Sequence, residues 1–303
     1  MESVVLLSGG TGGAKLARGL ADACDELTVV ANTGDDVEVY GVHVSPDPDL
    51  VTYWLADEID ERGWGLRNDT WRVMEELERA GAPHWFRLGD RDLAMCLIRT
   101  ERLRAGESLT AAHSAVVDAM GVGARVLPMS NEPVSTWVGT RGRTLPFQEF
   151  MIVERAEGPV DSVALRGIEE AKPSEEVLGA IASAGAIVIG PSNPVISIGP
   201  ILALPRMREA LAAAPAPVVA VSPFVGGRSI KGPTEPFCEQ AGIELSAAGI
   251  AHAYGDVIEG VIADEPSGAA AELVTDTLMD TPEARGRLAR EVLDFAASLR
   301  ATR

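Results

Sequence analysis

The chain has 303 residues, 46% apolar and 23% charged, and its 26 Lys and Arg against 45 Asp and Glu leave a net charge of −19. So much apolar material supplies a large core and excludes wholesale disorder, and the length suits one large α/β domain or two smaller ones. The acidity repels a phosphate backbone and an anionic membrane face, so neither nucleic acid nor a membrane is an expected partner.

Residues 4–7 form a short apolar run that stops at a glycine cluster, the pattern of a buried strand. Residues 14–23 then place Leu16, Leu20 and Ala23 at helical spacing, and residues 27–31 form a second buried strand ending at Asn32-Thr33-Gly34. Strand, glycine turn, helix and strand make a βαβ unit with a right-handed crossover. From residue 50 to about 122 the chain reads as mostly helical. One helix is expected over 52–61, another over 70–80 with Asn68 or Asp69 as N-cap, and a third from Ser108 or Thr110 to Met120. The runs 135–138 and 147–153, joined through Gly139 to Gly142, predict a β-hairpin inserted over about 134–164.

The α/β rhythm resumes after Glu157. Ser174 caps a helix whose first turn holds Glu175 and Glu176. Residues 186–189 and 218–221 are core strands, and Pro205 opens a helix over 206–214. A closing helix starts at Thr281-Pro282-Glu283 and runs on Leu288, Val292, Phe295 and Leu299. The order predicts a single α/β domain over 1–303: a doubly wound, mostly parallel Rossmann-like sheet with an embedded helical segment and a hairpin.

Residues 177–205 carry no charge, but Gly190-Pro191, Pro194 and Gly199-Pro200 interrupt them, so the segment is interior rather than membrane-spanning. Met1-Glu2-Ser3 has no basic start and precedes too short an apolar run for a signal peptide. Cys24, Cys96 and Cys238 show no paired spacing and read as buried, reduced thiols. Together these features predict a cytosolic protein.

Ser8-Gly9-Gly10-Thr11-Gly12-Gly13-Ala14-Lys15 joins the first strand to the first helix. Glycines there let the backbone approach a phosphate, while free N–H groups and the helix dipole attract it. The dinucleotide fingerprint fails at Lys15, where glycine is needed, and the P-loop fails at Ala14 and Leu16. A plain tight turn needs only one or two glycines, so four in positions 9–13 favour a phosphate ligand.

Asp35 and Asp36 follow the second strand, where an open sheet presents its crevice. Ten residues on, Asp47 and Asp49 stand at i, i+2 on a proline-stiffened loop. They can converge on one cation, naturally Mg²⁺, or on a hydroxyl; the alternative is a solvated acidic loop. In Arg87-Leu88-Gly89-Asp90-Arg91-Asp92 the two arginines offer forks for phosphate or a flat heterocycle. Asp90 and Asp92 either orient them or form exposed ion pairs. The polar turns 129–133, 190–194 and 222–227 lie between apolar runs, and Lys231 can add a phosphate cation. His43, His84, His113 and His252 lack metal-ligand spacing, and no nucleophile elbow is present.

In order along the chain, these segments resemble the 2-phospho-L-lactate transferases of coenzyme F420 biosynthesis. The matching stretches are SGGTGGAKL at Ser8, ANTGDD at Ala31, SPDPDLVTYWLAD at Ser45, the Asn68-Asp69-Thr70 turn and RLGDRD at Arg87. LPMSNEPVST at Leu127, FQEF at Phe147, IGPSNPVISIGPIL at Ile189 and VSPFVGG at Val221 follow. Singly each is weak; as an ordered set reaching about Asp264 they are specific. The resemblance implies transfer of a phosphoenolpyruvyl or 2-phospho-L-lactyl group from a guanosine diphosphate donor to the terminal ribityl hydroxyl of the deazaflavin Fo, with GMP released. Members of that family with an Ala-, Gly- and Arg-rich composition like this one often use the enolpyruvyl donor, so the resemblance leans toward it.

The resemblance further implies a homodimer and a Mg²⁺ cofactor. On it, Asp49, Asp47 and Arg87 are the catalytic candidates, with Asp35 and Asp36 as reserve metal ligands. Fo would be met by Asp49, Arg87, Arg91, Met129 and Ser130. The nucleotide would be met by Gly9, Gly10, Thr11, Gly12, Gly13, Lys15, Ser192, Asn193, Gly226 and Gly227. Two departures stand out: Pro48 replaces a leucine frequent in relatives and removes a backbone donor, and Arg87 stands where some relatives have lysine. A related branch of this fold resembles regulatory proteins that bind nucleotide sugars without chemistry; it shares the glycine-rich start, but has no need of the Asp47/Asp49 pair or of RLGDRD. An NAD-dependent oxidoreductase lacks both the fingerprint and an acidic residue placed for the ribose.

Overall fold

The computed structural model describes residues 3–230 and 232–301. Met1, Glu2 and Lys231, on which the leader and extra-cation expectations rest, lie outside them. Strand β1 (Ser3–Ser8) feeds α1 (Gly10–Ala21) and β2 (Glu26–Ala31). A hairpin of β3 (Val37–Val39) and β4 (Val42–Val44) follows, then helices α2 (Pro46–Leu55), α3 (Arg72–Arg79), α4 (Asp90–Arg104) and α5 (Leu109–Ala119). Strand β5 (Arg125–Pro128) returns the chain to the sheet. Strands β6 (Ser135–Thr140), β7 (Arg143–Pro146) and β8 (Ser162–Arg166) then form a separate antiparallel sheet. Next come α6 (Glu175–Ser183), β9 (Ala186–Ile189), α7 (Ile198–Ala203), α8 (Met207–Ala212) and β10 (Val218–Val221). The chain ends with the small ribbon β11 (Phe224–Val225) and β12 (Arg228–Ser229), α9 (Thr234–Ala241), α10 (Ala247–Tyr254), β13 (Gly260–Ala263), β14 (Glu272–Val274) and α11 (Pro282–Arg300).

The main sheet is parallel throughout, in the order β14-β13-β10-β9-β1-β2-β5. Its strands are apolar runs because both faces are covered. Val5 and Leu7 of β1 pack with Ile187, Ile189 and residues of α6 to α8, whereas Val4 and Leu6 pack with residues of α1, α2 and α11. The chain builds toward β5 on one side of β1 and toward β14 on the other. The switch between β1 and β9 opens a crevice at their carboxyl ends.

Several boundaries differ from the expectations, each for a local reason. Helix α1 starts at Gly10, inside the glycine cluster. Helix α2 covers Pro46–Leu55 rather than 52–61, since prolines in a first turn lack only N–H groups that have no helical partner there. Neither Asn68 nor Asp69 caps α3. Instead Asp90 accepts the amides of Arg72 (3.2 Å) and Val73 (3.1 Å), while Asp69 accepts those of Arg91 (2.8 Å) and Asp92 (3.1 Å), so each carboxylate serves the other segment's helix. The fifteen-residue α4 was not expected, because its buried face carries Arg99 and Thr100 beside Cys96 and breaks the apolar stripe.

The inserted hairpin turns at Arg141-Gly142, both at positive φ. Its second strand is β7, not the run 147–153, which coils into a π-helical turn at Glu149–Val153 once Pro146 has ended the strand. Strand β8 occupies the other edge of β6. Pro205 precedes α8 instead of opening it, because Arg206 takes a left-handed conformation (φ +71°). Cys96 and Cys238 are buried, Cys24 is half-buried, and all three are free thiols. Ser174 caps α6 as expected, Ser108 rather than Thr110 caps α5, and Thr281 caps α11 at the expected start of the closing helix. Among the described residues no helix is long and apolar enough to cross a membrane.

Candidate active site

The glycine turn is shaped by close packing as much as by backbone freedom. Gly10 opens α1 at φ +62°. A Cβ on Gly12 would overlap the Pro191 carbonyl, and one on Gly13 would overlap Ser8 Oγ, so the turn after β9 lies directly against the start of α1. Gly9 N–H donates to Ser192 Oγ at 3.3 Å. These segments line a cavity of about 280 Å³ with Gly9, Gly10, Thr11, Gly12 and Lys15 on one wall and Pro191, Ser192, Asn193 and Ser222 on another. Backbone donors at a helix start, one lysine and two serines make a natural anion cradle.

At the inner end of this cavity two carboxylates meet. Asp47 Oδ1 accepts Gly10 N–H (2.7 Å), and its Oδ2 accepts Asn32 Nδ2 (2.9 Å), which also reaches Asp35 Oδ1 at 3.2 Å. Both aspartates are buried, at 6% and 8% exposure. Burial, partly offset by the Asn32 and Gly10 hydrogen bonds, pushes the Asp47 carboxyl up to about 6. Burial and the charge of Asp47 hold Asp35 well above the carboxylate range. Two close, desolvated carboxylates that share an amide, with neither in an ion pair among the described residues, suit a divalent ion with oxygen ligands. Asp36 points elsewhere: it pairs with His43 Nε2 (2.9 Å) and accepts Ser45 Oγ (2.8 Å).

Asp49 is differently engaged. Arg99, with 0% side-chain exposure, clasps both of its oxygens at 2.6 and 2.8 Å and also donates to the His43 carbonyl at 2.9 Å. His113, wholly buried beside the pair and pushed down to about 4 by desolvation, stays neutral. One ligand atom each from Asp49, Asp92 and Cys96 lie within 4.8 Å of one another. With both Asp49 oxygens on a guanidinium and the thiol pushed well up by burial, this trio suits the arginine better than a metal ion.

A second cavity, about 490 Å³, opens beside the first. Its walls carry Tyr53, Trp64, Trp71, Trp85 and Phe86 with Arg87, Asp49 and Asp92, and Asp47 lines both cavities. The Arg87 guanidinium lies 5.2 Å from the Trp71 ring centre and that of Arg62 4.3 Å from Trp64. Asp92 accepts the Tyr53 hydroxyl at 2.7 Å, and burial, then the charge of Asp49, pushes its carboxyl up to about 7. Aromatic faces with arginines over them suit a flat ring system.

Most of the residues singled out from the sequence therefore gather in two adjoining cavities, although Asp47 and Asp49 stand on the first turn of a helix rather than on a loop. Gly13 lies packed behind the glycine turn. Gly226 and Gly227 belong to the ribbon turn, where Gly226 N–H donates to Asp264 (2.7 Å); Ser229, Ile230 and Gly232 beyond it line the first cavity instead. Arg91 is held by the Arg67 carbonyl (2.7 Å) and Glu58 (3.2 Å), outside both cavities. Met129 and Ser130 are fully buried and line neither.

Asn32, Tyr53, Arg99, His113 and the tryptophans were not expected at the site. Asn32 and Tyr53 lie within the ANTGDD and SPDPDLVTYWLAD stretches, and Trp64, Trp71 and Trp85 are three of the five tryptophans in the chain and fall within one short segment.

The family model described as 2-phospho-L-lactate transferase CofD matches residues 4–284. A phosphoenolpyruvate transferase of Kitasatospora aureofaciens is 42% identical over 98% of both chains. A 2-phospho-L-lactate transferase of Methanosarcina acetivorans is 39% identical, again over 98% of each. A solved protein of the UPF0052 family from Bacillus halodurans shares the fold, with a TM-score of 0.56 at 20% identity over 88% of this chain and 81% of that one. The chain belongs to the 2-phospho-L-lactate transferase CofD family.

Proposed function

We propose that this protein transfers a phosphoenolpyruvyl group, or the related 2-phospho-L-lactyl group, from a guanosine diphosphate donor to the terminal ribityl hydroxyl of Fo and releases GMP. One observation carries the reading: Asp47 lines both the anion-cradling cavity and the aromatic one, so two substrates seated in them meet at its carboxylate. The donor's phosphates fit the amides of residues 9–12 and Lys15. The deazaflavin ring fits among Trp64, Trp71 and Trp85, beside Arg87. A nucleotide-sugar binder without chemistry has no use for the second cavity.

In phosphoryl transfer a protein chiefly aligns nucleophile and donor and neutralises charge. The Fo hydroxyl oxygen bonds to the acid-bearing phosphorus as the bond from that phosphorus to the GMP oxygen breaks, and the hydroxyl proton passes to the Asp47 carboxylate that both cavities share. A Mg²⁺ ion held by Asp47 and Asp35 would offset charge on the phosphorus oxygens. Asn32 holds the two carboxylates together, and Gly10 N–H fixes one oxygen of Asp47. Arg99 fixes Asp49 so that the floor shared with the aromatic cavity keeps its shape. The test is incubation with Mg²⁺, Fo and each guanosine diphosphate donor in turn, followed by mass spectrometry. An enolpyruvyl adduct of Fo is expected; no adduct from either donor overturns the reading.

A further inference from the structure

The turn after β9 has two faces. It presents Pro191, Ser192 and Asn193 to the first cavity, and Pro194 to a separate cleft of about 280 Å³ that opens between α7, α8 and α10. Leu202, Ile243 and Ala253 make the cleft walls apolar, and two polar groups stand at different depths among them. Arg208 is at the mouth, its side chain 44% exposed. Its guanidinium meets Asp256 at 3.0 Å, an exposed pair that contributes little and separates readily. Tyr254 is at the inner end, 2% exposed, and its hydroxyl is buried with no hydrogen-bond partner among the described residues. Burial pushes that phenol up, so at neutral pH it keeps its proton and has a hydrogen bond to give.

We propose that this cleft is a binding site for a small acid with an apolar body, whose carboxylate pairs with Arg208 and whose far end offers an acceptor to the Tyr254 hydroxyl. An arginine fork suits a carboxylate. A buried hydroxyl without a partner is costly, and a ligand that completes it recovers that cost. Pro194, Leu202 and Ile243 take the body between, an apolar lining with few placed polar groups. The site also reaches the first cavity through the turn. Asn193 Oδ1 accepts the amides of Val195 (2.8 Å) and Ile196 (3.2 Å), and its carbonyl accepts those of Ser197 (3.2 Å) and Ile198 (3.0 Å), so residues 193–198 move as one unit. An acid packed against Pro194 therefore braces Asn193 and Ile196 in the wall of the first cavity and favours the donor there. The site stands on the cleft alone; only its coupling to the donor rests on the proposed placement of the nucleotide.

Titration calorimetry of the whole protein with benzoate and 4-hydroxybenzoate tests it, since the second carries an acceptor at the end away from its carboxylate. The 4-hydroxy acid should bind about fivefold more tightly. Tyr254→Phe should erase that difference. Because it also removes an unsatisfied hydroxyl, it should raise the melting temperature of the ligand-free protein by about 2–4 °C. Arg208→Ala, at an exposed position, should weaken both acids about tenfold. Saturating 4-hydroxybenzoate should tighten GDP binding about fivefold. No saturable binding of either acid, or a preference that survives Tyr254→Phe, overturns the site. Binding that leaves GDP affinity unchanged overturns the coupling. A wild-type chain that binds 4-hydroxybenzoate but no GDP overturns the placement of the nucleotide and leaves the site standing.

Discussion

The two cavities that share Asp47 are built in opposite ways. The first lies at the carboxyl ends of β1, β9 and β10, and its donors are backbone amides and small side chains held by the packing of α1 against the turn after β9. The second lies in the segment between β2 and β5, and its walls are large side chains drawn from residues 44 to 92 with Ile152 from the π-helical turn. A parallel sheet supplies an anion site almost for free, through aligned strand ends and one helix start. A pocket for a flat ring needs area, and here an insertion provides it. The difference teaches that the second region rests on a buried ion pair, whereas the first rests on close backbone packing.

Arg99 is the cation of that pair, and its removal should have the largest effect. Arg99→Ala leaves Asp49 and the His43 carbonyl without their buried partner, and breaking such a pair costs about 3–5 kcal/mol. Urea unfolding should register that loss. GDP affinity at the first cavity should stay within about threefold in the folded variant, because the perturbation is confined to the other region. An equal loss of GDP affinity would show that the two regions are one unit.

Asp47 belongs to both regions, so its replacement should damage turnover more than either binding step. Asp47→Ala should lower kcat about 10²- to 10³-fold, the size expected when one group that stabilises developing charge is lost. Substrate affinities measured separately should move far less. A kcat within about tenfold of wild type, under 2 kcal/mol of barrier, would remove Asp47 from the catalytic machinery.

The same contrast explains what could be read from the sequence. The strands at 186–189 and 218–221 were legible to the residue, since a strand buried on both faces is a continuous apolar run. The glycine turn was legible because close backbone approach leaves only glycine as an option. Strands β13 and β14 were not: β13 opens on Gly260, and β14 is a three-residue edge strand that begins with Glu272. In the second region the meaning of a residue depends on partners far away in the chain. Asp49 reads as a free carboxylate until Arg99, fifty residues on, is seen to clasp it. Arg99 itself drew no notice in the sequence, because the helix that carries it was not expected.

A smaller effect separates the regions by pH. Asp92 titrates near 7 when folded, against an ordinary 3.8, so the native state holds a proton that the unfolded chain has released. The stability this contributes is complete below about pH 4 and is lost as pH rises through about 7. Asp92→Asn removes the titration, so the difference between variant and wild type should grow in the variant's favour from pH 5 to pH 8, by up to a few kcal/mol. Thermal melts across that range measure it. His113 works in the opposite sense, since its folded form near 4 resists the charge that the unfolded ring accepts below 6.5. Its limb is common to both proteins and cancels in the difference.

The smallest expected change sits at the mouth of the second cavity. Trp64 is 51% exposed, unusual for so large an apolar side chain, and the Arg62 guanidinium lies over its ring at 4.3 Å. An exposed ring already stacked with a cation is suited to meeting a planar ligand, and such stacking contributes about 1–3 kcal/mol per aromatic partner. Trp64→Ala should therefore raise KM for Fo about tenfold, while KM for the guanosine diphosphate donor and kcat at saturation stay near wild type. Trp64→Phe, which keeps a π face, should recover most of the loss. If donor KM rose in parallel instead, Trp64 would be bracing the boundary at Asp47 rather than the acceptor ring, and the separation of the two cavities would have to be redrawn.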